Sequence, residues 1–99
     1  MFHREWKCTC PKAFEQGFIT YLGETGVKDT QMIKGCVGYH ILRRALGQEV
    51  EITFVSLWES LDHMKAYAGD NLYKAVLYPE DEKYHIHAET EVKVYEVIV

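Results

Sequence analysis

The stretch Glu49–Pro79, EVEITFVSLWESLDHMKAYAGDNLYKAVLYP, changes its hydrophobic period part-way along. Val50, Ile52 and Phe54 alternate with Glu51 and Thr53, which is strand spacing. From Trp58-Glu59-Ser60 the period becomes helical: Leu61, Met64, Tyr67 and Ala68 fall on one stripe. Ser60 is placed to cap that helix, and Asp62 lies in its first turn, where a carboxylate suits the positive helix end. A strand therefore feeds a helix, with Trp58 at the corner. Its ring either fills that corner or forms part of a pocket beside it. Gly69-Asp70-Asn71 stops the helix, and Leu72–Leu77 predicts a short second helical piece that ends before Pro79.

The remaining segments extend the pattern in both directions. Phe2, Arg4, Trp6 and Cys8 alternate with His3, Glu5 and Lys7, giving a first strand with mixed faces and Trp6 toward the core. Pro11 suits a helix start, and Ala13, Phe14, Gly17, Phe18, Tyr21 and Leu22 follow at helical spacing. Gly23 and Gly26 predict a break or frayed turn over residues 24–27, with Gly35 closing the connection. Cys36–Arg44 alternates as a second strand, and Gly47-Gln48 turns it back against the third as a hairpin. Tyr84–Val99 reads as one long final strand. Its length predicts that part of it pairs with a second copy of the chain.

The order strand, helix, strand, strand, helix, strand defines an α+β, ferredoxin-like βαββαβ arrangement with an antiparallel sheet and both helices on one face. Val55 and Leu57 beside Phe54, and Tyr95 and Val97 beside Val94, leave apolar side chains on the other face as well. A homodimer with sheet facing sheet would cover them.

Composition narrows the partners. The chain has 99 residues, enough for one domain spanning 1–99 with a limited core. Hydrophobic residues make up 47% and charged residues 26%, which places it among folded globular chains. The net charge of -4, with no run of Lys or Arg, offers nothing to a phosphate backbone, so no nucleic acid is expected. No apolar run reaches the ~18 to 20 residues of a membrane span, and Met1–Glu5 turns polar too early for a secretory signal. A cytoplasmic protein without membrane contact is the expectation. Three cysteines, Cys8, Cys10 and Cys36, make neither a disulfide framework nor a zinc site.

Several stretches carry a resemblance: Tyr21–Val27, Gly35–Arg44, Leu57-Trp58-Glu59-Ser60-Leu61, Tyr67-Ala68-Gly69, Ala75–Asp81 and Val94–Val97. In this order the chain resembles the antibiotic biosynthesis monooxygenase superfamily of dimeric α/β barrels. The resemblance implies one small-ligand pocket per subunit, between sheet and helices. It also implies oxidation of aromatic phenols or quinols by dioxygen without a cofactor, or haem degradation, or ligand binding without chemistry. The position matching the haem-ligating histidine is Leu77, the distorting tryptophan matches Tyr67, and Phe2–Lys7 contains no asparagine. Haem degradation is therefore disfavoured.

Cofactor-free oxygenation needs a dry pocket and groups that stabilise a phenolate. His40 and Trp58 are the candidates for catalytic contact, and Trp6, Tyr39, Arg43, Tyr67 and Tyr73 for the substrate pocket. A one-residue change of register would exchange His40 and Leu42 for Tyr39, Ile41 and Arg43. His85 and His87, with Glu89 continuing the row, have metal-ligand spacing but equally suit the solvated side of a strand.

Overall fold

In the computed structural model, which describes residues 1–99, β1 (Phe2–Pro11) runs antiparallel to β3 (Glu49–Trp58) along its whole length. β2 (Cys36–Leu46) pairs with the other edge of β3 through the hairpin turn at Gly47-Gln48. Two short strands, β4 (His87–Ala88) and β5 (Lys93–Glu96), pair with the free edge of β1. The order β2-β3-β1-β4, with β5 also on β1, is that of a ferredoxin-like sheet. No helix is long and apolar enough to cross a membrane.

The even-numbered residues of β1 and β3 share the face covered by helices. Trp6, Cys8, Cys10, Val50, Ile52 and Phe54 pack under α1 (Glu15–Leu22), which contributes Phe18, Tyr21 and Leu22. α3 (Leu61–Ala68) covers the other end, where Trp58, Met64 and Leu72 form a second cluster. Burying side chains of this size contributes on the order of 2–3 kcal/mol each. Ser60 caps α3 as expected, its Oγ accepting the His63 N–H at 3.2 Å, and Gly69 ends the helix at φ 81°.

Three expectations are revised. Gly23 and Gly26 do not break the first helix: it passes through a π turn (Gly23–Val27) into α2 (Lys28–Gln31). The turn persists because Thr25 and Thr30 hydroxyls donate to the carbonyls of Tyr21 and Gly26 at 2.8 and 2.9 Å, and because Gly26 lets the helix approach the Phe54 ring.

Leu72–Leu77 is not helical. Leu72-Tyr73 form a turn closed by the Lys74 N–H on Asn71 O, and the segment continues as an irregular strap in which Ala75 N–H donates to Thr90 O and Val92 N–H to Tyr73 O. The Arg4 guanidinium binds the carbonyls of both Leu72 and Lys74.

The final segment is not one long strand. Tyr84 belongs to a 3₁₀ turn (Asp81–Tyr84), His85 adopts a left-handed conformation at φ 54°, and residues 90–92 leave β1 to pair with the strap before β5 resumes. The outward sheet face carries Leu42, Val55, Leu57 and Tyr95 among His3, Glu5, Lys7, Arg44 and Glu51.

Candidate functional site

A pocket lies between the sheet and the first helix, closed on its third side by the strap and the segment after Pro79. Arg4, Trp6 and Phe54 form its floor, Phe18, Leu22, Thr25 and Gly26 one wall, and Tyr67, Val76, Tyr78 and Asp81 the other. The free space measures about 330 Å³ with its open mouth, and the enclosed centre takes about one water. Its lining is chiefly apolar and aromatic, with a few convergent polar groups, as ligand sites commonly are.

Arg4 is 3% exposed. Its Nη2 donates to Lys74 O at 2.8 Å and its Nε to Leu72 O at 3.4 Å, while the guanidinium carbon lies 5.6 Å from the centre of the Tyr67 ring. No carboxylate pairs with it, and Nη1 has no hydrogen-bond partner in the chain. Burial lowers its pKa, opposed by the neighbouring Tyr67 and Tyr78, but a guanidinium retains its proton. A buried cation held only by carbonyls and a ring face is an electrostatic demand for an anion. Two residues further along the same strand face, the Trp6 indole N–H is buried without an acceptor.

Opposite these donors runs a chain of hydroxyls. Tyr78 donates to the exposed Asp29 carboxylate at 2.8 Å, which uses its one proton. The Tyr67 hydroxyl, 3.1 Å away, therefore donates to Tyr78 and keeps its own oxygen as an acceptor. Burial raises the pKa of both phenols, so both stay protonated near neutrality. Asp81 accepts the Tyr78 N–H at 2.9 Å, and desolvation raises its pKa more than that hydrogen bond lowers it. The segment is anchored by the Glu80 N–H on the Tyr21 hydroxyl at 3.0 Å and by Tyr84 packed against Phe18 and Tyr21.

Of the residues expected at the site, Trp6 and Tyr67 line this pocket. Trp58 stands one layer behind it, fully buried, stacked on Tyr67 at 6.3 Å with its N–H committed to Ser56 Oγ at 2.8 Å. That satisfied indole holds Tyr67 in place and cannot touch a ligand. His40 is excluded by register: it pairs with Val55 on the outward face, while Tyr39, Ile41 and Arg43 turn toward the helices. Even so, Tyr39 packs on the edge of Phe54, and Arg43 is drawn away into an ion pair with Glu15. Tyr73 is 54% exposed on the strap.

His85 and His87 do not share a strand face, because His85 lies outside β4 and packs against Phe14 at 4.6 Å. No group of three or more His, Cys, Asp or Glu is placed to hold a metal ion. Burial pushes the Cys8 thiol up to about 12, so it is no nucleophile at neutral pH. Arg4, Tyr78, Asp81 and Asp29 were missed by sequence reasoning. Arg4 alone left a signal, as a charge in line with Phe2, Trp6 and Cys8.

The sheet order and the single helical layer define a ferredoxin-like α+β protein. Solved structures of the same fold span nearly the whole chain. A dimeric ferredoxin-like protein from an uncultured marine organism matches with TM-score 0.69 at 13% identity, over 100% of this chain and 96% of its own. A Bacillus cereus protein provisionally designated an antibiotic biosynthesis monooxygenase matches with TM-score 0.64 at 13% identity, over 99% and 93%. One of the same designation from Deinococcus radiodurans matches with TM-score 0.60 at 14% identity, over 98% and 92%. No protein-family model and no curated protein sequence matches the chain. At such identities the likeness establishes the fold.

Proposed function

We propose that the chain is a homodimeric, cofactor-independent monooxygenase that oxidises a small aromatic phenol or quinol in the pocket between sheet and helices. The observation that carries this reading is the buried, carboxylate-free Arg4 guanidinium at the floor of an apolar, aromatic-lined pocket. Direct reaction with dioxygen requires an electron-rich phenolate, and a fixed cation in a water-poor site anchors an anionic substrate so that its hydroxyl meets the base. Asp81 is the candidate base. Its raised pKa brings it nearer the working range of a general base, and it lines the same pocket as Arg4.

The reaction consumes one dioxygen. One oxygen atom enters the ring carbon, the other leaves as water, and the substrate supplies the two electrons and two protons. The provisional designation of the Bacillus and Deinococcus neighbours points the same way. Haem is a poor fit, since the pocket lining offers neither imidazole nor thiol and burial keeps its two phenols, Tyr67 and Tyr78, protonated.

Oxygen uptake with a panel of hydroquinones and anthrones tests the proposal. Uptake above buffer, reduced at least about 100-fold in kcat by Arg4→Met, is the expected result. Absence of uptake with every substrate removes oxygenation and leaves a ligand-binding homodimer.

A further inference from the structure

The pocket holds two opposed demands that the protein itself leaves unmet. On β1, Arg4 Nη1 and the Trp6 indole N–H are donors without partners, adjacent on one strand face. Asp81 lines the same pocket with a carboxylate that accepts from the Tyr78 N–H and forms no ion pair with Arg4. A carboxylate at that wall repels a second anion and attracts a hydroxyl. An anionic group is thus directed to Arg4 and Trp6, and a donor group to Asp81. Phe18, Phe54 and the Trp6 ring make the space between them suited to a flat ring. As it stands the enclosed space holds about one water, so a ring is seated only when the lining moves aside, and one ring asks for less displacement than a fused system.

We infer that the ligand of this pocket is a single-ring hydroxy-aromatic carboxylate, its carboxylate held by Arg4 and Trp6 and its hydroxyl by Asp81. This rests on the proposed use of the pocket as the ligand site and narrows the substrate class, but requires no turnover. It also gives Trp6 a binding part beyond packing.

The test exploits the fact that Trp6 and Trp58 are the two tryptophans of the chain. In a nitrogen-15 correlation spectrum they give two indole signals, assigned with Trp6→Phe and Trp58→Phe. Trp58 already donates to Ser56 and serves as an internal reference. Addition of 4-hydroxybenzoate should move the Trp6 signal saturably while Trp58 stays in place. Half-saturation should come at a concentration at least about ten-fold below that for phenol, which lacks the carboxylate, and below that for benzoate, which lacks the hydroxyl.

Arg4→Met should bring the 4-hydroxybenzoate to phenol ratio to about one. Because Arg4 also clamps the strap, Trp6→Phe provides an independent arm: it keeps the ring, removes the donor, and should weaken 4-hydroxybenzoate binding about three- to ten-fold by calorimetry. An unmoved Trp6 signal overturns the inference. So do phenol binding as tightly as the acid, inorganic phosphate moving Trp6 equally, or Trp6→Phe binding as well as the parent. A Trp6 shift without oxygen uptake separates the ligand from the reaction: it keeps this inference and discards oxygenation.

Discussion

At the scale of single residues, the site is a set of charges that the fold buries without pairing. Asp81 makes the cost of such burial measurable. Desolvation raises its pKa in the folded chain, so folding favours its protonated form. The stabilising contribution is complete below the unfolded carboxylate range, about 3.9, and is lost as pH rises through the folded value. At neutral pH the ionised carboxylate therefore costs stability. Asp81→Asn keeps an acceptor for the Tyr78 N–H and removes the charge. We expect it to raise Tm slightly at pH 7, by under ~3 °C, and to leave no difference near pH 3 in paired thermal melts. A variant less stable than the parent at pH 7 would contradict the assigned cause. Trp6 and Tyr67 were legible at this scale because large rings at apolar periodicity must pack somewhere near the helix-covered face. Tyr78 and Asp29 were not, since their contact spans 49 residues of chain, and Asp81, three residues from Tyr78, reaches the pocket only because its segment docks on Tyr21.

Among the elements, the strand pattern and the α3 cap were readable from local chemistry, as Ser60 shows. His40 was misplaced although its face was deducible: a two-residue turn at Gly47-Gln48 fixes the hairpin register, and Phe54 turned to the core carries Ile41 with it and His40 away. The Leu72–Leu77 strap could not have been read. Apolar residues at three-residue spacing suit a helix, and the partners that hold the segment in another form, Arg4, Thr90 and Val92, lie elsewhere in the chain. Gly35 was correctly placed at the end of the first connection, for a stronger reason than helix termination. It sits at φ 96°, and an added Cβ would come within 2.2 Å of His63 Cγ, where α3 crosses the loop. Gly35→Ala should cost about 2–4 kcal/mol in denaturant unfolding, combining left-handed strain with the clash. With His63→Gly in the background, which also removes the His63 Cβ 2.5 Å away, the cost should fall to about 1–2 kcal/mol, and equal costs in both backgrounds would show that the contact is immaterial.

For the molecule as a whole, the helix-covered face accounts for the core, and the outward face is the one the proposed homodimer would cover. There Leu42 and Tyr95 are 51% and 47% exposed, interleaved with charges of both signs. A mixed face of this kind suits pairing with its own copy, positive groups against negative ones around apolar contacts. The proposed homodimer should sediment at twice 11.5 kDa, and Leu42→Asp should shift it toward the single chain. A parent that sediments as one chain at micromolar concentration would remove the dimer.

The strap has an implication for how anything reaches the pocket. β1, β2 and β3 are zipped to one another over ten or so residues, whereas the strap is fastened to its neighbours by two amide hydrogen bonds and the fork of Arg4. Opening it would uncover Leu72 and Ala75 but leave the three long strands zipped, so the door costs less to open than the house to unfold. An incoming anion on the free Nη1 would pull on the same guanidinium that holds the strap. Visitor and bolt then share one contact, and admission becomes selective before the guest has been seated.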